Sequence, residues 1–157
     1  TIDISGESSD FTGDSKVPEL SWLSPNGGEE WEEAIVLQYH RLSRVRRPSS
    51  EDEYVINFEW EGRHRAFHLA LLSACGSHWL MQYCAQLNDQ AGRYRQLAII
   101  VNYPKRNELS EHEAIMRAVT TRNADEAVRL LLAHYGRTAG IIKNSIPELG
   151  GTSDSAP

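Results

Sequence analysis

Four of the six histidines are spaced so that their rings can meet inside a folded helical protein. His64 and His68 are four residues apart. On a helix their side chains would differ by only about 40° in azimuth and project from one stripe. His112 and His134 each lie on the apolar face of a later predicted helix. Three separate helices would therefore direct imidazole rings towards one interior.

Such a cluster favours a divalent cation. Burying an unpaired imidazole costs free energy, and a single buried ring is readily satisfied by a carbonyl or hydroxyl group. Four rings can instead each give a metal ion a lone pair and donate the other N–H to an outer acceptor. Helical bundles build metal sites in this way, from ligand pairs at i and i+4 completed by facing helices. The spacing predicts a metal site formed by His64, His68, His112 and His134.

The two remaining histidines are not predicted ligands, and a protein without a metal is the alternative. His40 lies at an arginine-rich helix end and His78 at a helix start, so both are predicted to be surface or capping residues. The alternative is a metal-free helical interaction module in which the core histidines are satisfied by protein groups. Metal analysis of the protein distinguishes the two.

The elements that would position these residues are helices. Apolar periodicity and end signals predict five of them, over about residues 29–47, 51–74, 78–100, 110–121 and 123–137. Gly76 is expected to close the second helix and Ser77 to cap the third. Capping boxes are predicted at Ser110–Glu113 and Asn123–Glu126. With no strand run and no fixed repeat, the sequence predicts an all-α, antiparallel helical bundle.

Composition divides the chain into three parts. Residues 1–28 are expected to be a disordered or atypical N-terminal segment, because most of them are Ser, Gly, Asp and other poor core formers. Residues 29–143 would form the helical domain, and residues 144–157 a flexible tail.

The totals narrow the class of protein. A chain of 157 residues can bury one core. Its net charge of −6 argues against direct binding to a phosphate backbone. No apolar run is long enough to cross a bilayer and no signal peptide opens the chain, which predicts a cytoplasmic protein with no membrane partner. Cys75 and Cys84 are expected to be reduced thiols.

Three segments, in order, resemble a known family. Arg63–Leu72 followed by Cys75–His78, then Glu111–Ile115, then Asn123–Tyr135 are similar to the signature of the FCD domain, the C-terminal effector domain of FadR-type GntR transcription regulators. The resemblance covers roughly residues 29–140. The segments 66–68 and 76–78 most resemble the branch that responds to carbon starvation, glutarate and 2-hydroxyglutarate.

The resemblance implies metal ligands at His68, His112 and His134, whereas His64 stands where the family usually has Asp. An all-imidazole set would favour Zn²⁺ or Ni²⁺ over Mn²⁺, and its uncompensated charge would favour an anionic effector. The resemblance further implies a small organic acid effector, with Arg93 or Arg95 meeting its carboxylate. It implies a homodimer that meets operator DNA only through an N-terminal winged helix-turn-helix, which residues 1–28 do not resemble.

Two further expectations concern what surrounds the site. Leu80, Tyr83 and Leu87 on the third helix are expected to belong to the core, with a dimer interface as the alternative. A metal-dependent enzyme is the competing function, since open zinc sites activate water. The sequence contains no His-Glu-x-x-His pattern, nucleophile signature or phosphate loop. Glu61 and Glu113 are the candidate general bases close to the histidines in sequence. Glu111 and Glu113 fit helix capping better, so we expect no enzyme.

Overall fold

The structure is a computed structural model, and it describes residues 27–45, 57–101 and 106–149. Within these ranges there are five α-helices and no strand. The helices are α1 Glu29–Ser43, α2 Phe58–Leu72, α3 His78–Val101, α4 Glu108–Thr120 and α5 Ala124–Leu149. A short 3₁₀ helix, Ser73–Cys75, follows α2. The predicted all-α fold is confirmed, and no helix in the described ranges is both long and apolar enough to cross a membrane.

The helices pack in a ring. Going round it, α1 contacts α2, α2 contacts α3, α3 contacts α5, α5 contacts α4, and α4 contacts α1 again. The interior is closed by apolar side chains of α1, α2, α4 and α5: Trp31, Ile35, Leu42, Trp60, Phe67, Leu71, Ile115, Ala118, Val119, Ala127 and Leu131. None of the α3 side chains that the structure describes, residues 78–97, belongs to this buried apolar cluster, so this part of α3 lies at the margin of the core.

Two helix starts have the side-chain caps that the sequence predicts, but the capping box at Asn123 is incomplete, because the Glu126 side chain pairs with Arg129. The Asn123 side chain accepts a hydrogen bond from the Glu126 backbone at the start of α5, and Ser77 Oγ accepts one from Leu80 N in α3. Gly76 has φ +71°, the left-handed conformation of a helix-closing glycine.

The predicted start of α4 at Ser110 is wrong. Asn107 is the N-cap, its side chain accepts a hydrogen bond from Ser110 N, and the helix begins two residues earlier. Glu113 does not return to the cap but pairs with Arg117 one turn later. The Asn107 side chain is a hydrogen-bond acceptor, as Ser110 would be. Because Asn107 comes earlier in the chain, it caps the backbone amides of a helix that begins earlier.

Other predicted ends also move. The first helix ends at Ser43 rather than near residue 47. Asn57 caps α2, which therefore begins at Phe58 and not at 51; residues 46–56 lie outside the described part. The fifth helix does not end near residue 137 but continues to Leu149, into the segment predicted as a tail. The prediction for residues 1–26 falls outside the described residues.

Three long-range contacts hold α1 in place. Trp31 Nε1 donates to the Ala70 carbonyl oxygen of α2 over 2.9 Å. Arg122, in the turn between α4 and α5, donates to the Gly27 carbonyl oxygen over 2.6 Å and pairs with Glu32. Helix α1 is therefore fixed against both α2 and the turn that follows α4.

Candidate metal centre

The four histidines selected from the sequence lie together in the bundle interior. Each offers one ring nitrogen, and these four nitrogens all lie within 4.8 Å of one another. All four side chains are buried, with His68 entirely inaccessible. His40 and His78 are exposed, as predicted.

Three helices build the cluster. Helix α2 supplies His64 and His68 from adjacent turns, α4 supplies His112, and α5 supplies His134. His64 stacks on Trp60 with ring centroids 4.7 Å apart, and Phe67 places its edge against His68 and His112. Aromatic packing therefore fixes the rings, which limits the rotamers available to them.

Two of the N···N distances in the cluster are close to those of a tetrahedral metal site. Nε2 of His68 lies 3.1 Å from Nε2 of His64 and 3.3 Å from Nε2 of His112. A tetrahedral zinc site with Zn–N bonds of about 2.0–2.1 Å has N···N edges of about 3.3 Å. The widest separation in the cluster, 4.8 Å, exceeds such an edge. The two histidines at this widest separation must therefore move closer together before all four can bind one ion.

The rings are held in the form that can bind a metal. Burial, followed by the charge of neighbouring histidines, lowers the pKa of His64 and His68 well below its usual value. Burial also lowers the pKa of His134, although Glu111 opposes that shift. Neutral imidazole carries the free lone pair that a cation needs.

Two rings have hydrogen-bond partners on the side away from the cluster. His68 Nδ1 lies 3.1 Å from the Tyr135 hydroxyl, and His134 Nδ1 lies 2.9 Å from Glu111 Oε2. The sequence assigned Glu111 to helix capping, and this contact was missed. The only signal for it was that Glu111 and His134 both lie on helices that bring ligands to the cluster.

Of the two predicted effector-binding arginines, the structure brings only Arg95 near the cluster. Arg95 is buried, pairs with Glu61, and lies with its guanidinium carbon 5.9 Å from the centroid of Trp60. Its Nε is the one buried side-chain polar atom among the described residues that has no hydrogen-bond partner. Arg93 is exposed.

The third-helix residues expected in the core are not buried. Tyr83 and Leu87 are exposed, and Leu80 is only half-buried. These apolar residues do lie on one face of α3, but the helix lies at the margin of the bundle and that face points outwards. The two cysteines are free thiols, as expected.

Comparison of the sequence with known protein families identifies the domain. The sequence profile of the FCD domain matches residues 20–137. This chain belongs to the FCD-domain family. The resemblance noted in the sequence is thereby confirmed, and the histidine cluster lies within the matched part of the FCD domain.

Two curated relatives are bacterial transcription regulators. The FCD domain is 36% identical over 118 residues to a protein named as the uncharacterized HTH-type transcriptional regulator BphR of Paraburkholderia xenovorans, covering 75% of this chain and 48% of that protein. It is 30% identical over 131 residues to the HTH-type transcriptional repressor GlaR of Escherichia coli, covering 81% of this chain and 59% of that protein. The chain thus spans about half the length of these relatives. No solved structure matches it.

Proposed function

We propose that this FCD domain is the ligand-sensing part of an HTH-type transcription regulator, and that it binds a divalent metal and, beside it, a small carboxylate. The observation that carries the proposal is the placement of four buried imidazoles with ligand atoms inside 4.8 Å. The relatives' printed names support the regulatory role. An interior with this many nitrogen lone pairs is costly unless something binds them.

The proposed ligands are His64, His68, His112 and His134. Their donor set favours Zn²⁺ or Ni²⁺, because neutral imidazole suits these borderline metals. When bound, the metal would supply two positive charges and attract an anionic ligand. The protein's own part is to keep the rings neutral, buried and aimed at one point.

The proposed carboxylate contact is Arg95. A buried guanidinium with a free Nε–H can donate to a carboxylate in addition to its ion pair with Glu61. Arg93 was the other candidate in the sequence, but its exposed position gives it no comparable contact. Arg93 therefore provides a matched control on the same helix.

The metal half of the proposal is tested by elemental analysis of protein purified without a nickel column. We expect close to one equivalent of Zn or Ni in the unaltered chain, and none in a His68→Ala, His134→Ala double variant. A His40→Ala, His78→Ala double variant removes the same number of imidazoles from the surface and should retain the metal. Absence of metal from the unaltered chain, even after adding Zn²⁺ or Ni²⁺, would support the metal-free interaction module instead.

The effector half is tested by calorimetric titration of the metal-loaded protein with glutarate and with 2-hydroxyglutarate. We expect binding that Arg95→Gln weakens at least tenfold and Arg93→Gln leaves unchanged. Equal affinity in all three proteins would remove Arg95 from the proposal. Turnover of an ester, amide or phosphate panel by the loaded protein would favour the metal-dependent enzyme over the regulator.

We also propose that the domain forms a homodimer through α3. The outward face of this helix carries five large side chains that are all substantially exposed: Trp79, Tyr83, Leu87, Tyr94 and Leu97. Two of its charged residues are directed to α2 instead, through the pairs Asp89–Arg65 and Arg95–Glu61. An exposed apolar face of this kind marks an interaction surface, and regulators that read two half-sites are dimers.

Sedimentation measurements test the interface. The unaltered chain should sediment as a dimer, and a Tyr83→Glu, Leu87→Glu double variant as a folded monomer, because buried carboxylates cannot be solvated in an apolar interface. Leu37→Glu places the same charge on an equally exposed leucine of α1 and should leave the dimer intact. A monomeric unaltered chain would exclude the interface.

A further inference from the structure

The Glu111 carboxylate connects α4 to three groups around the histidine cluster. Its Oε2 lies 2.9 Å from His134 Nδ1. Arg106 donates to it twice, from Nε over 2.9 Å and from Nη2 over 2.6 Å, and Arg137 Nε lies 3.2 Å from Oε1. The side chain is largely buried, at 15% exposed. Helix capping does not require this set of partners.

The contact between Glu111 and His134 fixes which ring nitrogen carries the proton. Arg106 Nη2 also lies near His134 Nδ1, at 3.2 Å. However, the two hydrogens of Nη2 are directed to Glu111 Oε2 at 2.6 Å and to the His134 carbonyl oxygen at 3.1 Å. A guanidinium has no lone pair to accept with. Glu111 is therefore the partner of Nδ1.

The Glu111 carboxylate is paired with two guanidinium groups, which stabilise its ionised form. Arg106 donates two hydrogen bonds to it, and Arg137 Nε lies 3.2 Å from its Oε1. An ionised carboxylate can only accept, so Nδ1 of His134 must hold the ring proton. The lone pair is then on Nε2, the nitrogen that can be aimed at the cluster.

We propose that Glu111 is a positioning residue for the metal site: it selects the Nδ1–H tautomer of His134 and orients the ring so that Nε2 can bind the cation. This inference rests on the proposed function and deepens it. The Tyr135 hydroxyl lies 3.1 Å from Nδ1 of His68, but a hydroxyl can donate or accept, so this contact does not select a tautomer as the Glu111 carboxylate does. Outer carboxylate or hydroxyl partners of this kind orient metal-binding histidines.

The role of Glu111 is orientation rather than net charge. Arg106 and Arg137 offset the charges of Glu111 and of Glu108, whose Oε1 lies 3.9 Å from Arg106 Nη1. The four side chains together are neutral. Because Glu111→Gln leaves these groups with a net charge of +1, the test also needs a variant that changes the charge without changing the contact with His134.

The first experiment compares metal affinity in Glu111→Gln with that in two controls. Gln keeps the size of Glu but has one acceptor oxygen, for which Arg106 and Arg137 compete, so its amide N–H₂ would face His134. We expect 10- to 100-fold weaker Zn²⁺ binding by chelator competition, the loss typical for an outer partner. Glu113→Gln alters another acid of the same helix, whose side chain is 40% exposed, pairs with Arg117 and contacts Tyr39. This variant should bind Zn²⁺ normally.

A second control separates orientation from packing. Arg137→Gln breaks an ion pair of Glu111 without touching the contact with His134, so its metal affinity should remain unchanged. If Arg137→Gln weakens binding as much as Glu111→Gln does, or if Glu111→Gln binds like the unaltered chain, the proposal is overturned. Glu111→Ala provides a further variant that leaves no acceptor at all.

A metal-free readout distinguishes failure of this inference from failure of the proposed function. Nitrogen-15 spectra of the apo protein report which ring nitrogen is protonated. His134 should be the Nδ1–H tautomer in the unaltered chain, and should lose that preference in Glu111→Ala. An unaltered chain that binds no metal yet shows this tautomer switch would contradict the metal site alone. An unchanged tautomer would overturn the role of Glu111 alone.

Discussion

Nε2 of His68 on α2 lies 3.3 Å from Nε2 of His112 on α4, although 44 residues separate them in the chain. Both side chains are buried, and neither helix alone could bring the two nitrogens together. The contact is made because α1 packs against both α2 and α4. The interior of this FCD domain therefore contains a cluster of histidine ring nitrogens as well as apolar side chains.

In the proposed metal site, the choice of metal should depend on His64, which supplies the fourth imidazole of the donor set. We expect Zn²⁺ and Ni²⁺ to raise the melting temperature of the unaltered protein more than Mn²⁺ does, because imidazole suits the first two metals. His64→Asp should narrow that difference, since a carboxylate suits Mn²⁺. At a free metal concentration of 100 times the Kd, the stabilisation should be about 2.7 kcal/mol.

Melting scans of the two proteins with each metal provide the measurement. His78→Asp makes the same exchange at an exposed position and should leave the order of metals unchanged. An equal response to all three metals in the unaltered chain would contradict the all-imidazole donor set.

The stability of the metal-free protein should fall in mild acid. Burial lowers the pKa of His64, His68 and His134, so the unfolded chain binds more protons than the folded one just below the ordinary histidine value. The part of the unfolding free energy that depends on neutral histidines is fully present above about pH 6.5. It decreases as the pH falls through that value, by up to about 1.4 kcal/mol per pH unit for each histidine.

Urea denaturation at pH 7.5 and pH 5.5, in the presence of a chelator, measures this slope. A His68→Leu variant lacks one of the groups and should show a shallower dependence. Stability that is flat or that rises between pH 7.5 and pH 5.5 would mean that the rings are not held neutral by burial.

Truncation of two phenylalanines of α2 should change the stability by very different amounts. Phe67 is fully buried and contacts the rings of His68 and His112, so Phe67→Ala should cost about 3–5 kcal/mol of unfolding free energy. Phe58 is 76% exposed, and Phe58→Ala should change stability by less than about 0.5 kcal/mol. Chemical denaturation of both variants makes the comparison; similar losses would contradict the assigned position of α2.

Two glycines should give changes of opposite sign. Gly76 has φ +71° with open space around it, so Gly76→Ala should destabilise the protein by about 1–2 kcal/mol through backbone strain alone. Gly62 lies inside α2, exposed and with nothing within 4 Å of an added Cβ. Gly62→Ala should therefore stabilise by about 0.5–1 kcal/mol. Thermal unfolding of each variant decides the signs, and a shared sign would contradict one of the two backbone assignments.

Local errors in the sequence interpretation have local causes. Both Asn107 and Ser110 can cap a helix, and the chain uses the earlier residue, which a single sequence does not rank. The end of α5 was placed near residue 137, yet the helix passes through Gly136 and Gly140 to Leu149. Propensity differences of about 1 kcal/mol per glycine are small enough for helix packing to override.

The sequence by itself determined the helical class, the family, and which four histidines share the interior, because apolar periodicity sets the inward face of each helix whatever its neighbours are. Only the tertiary structure decided that the outer face of α3 is unburied, that Arg95 rather than Arg93 lies near the cluster, and that Glu111 binds His134. These relationships depend on which helices are adjacent and on their rotation and distance. Contacts between residues far apart in the chain fix those quantities, and no local pattern encodes them.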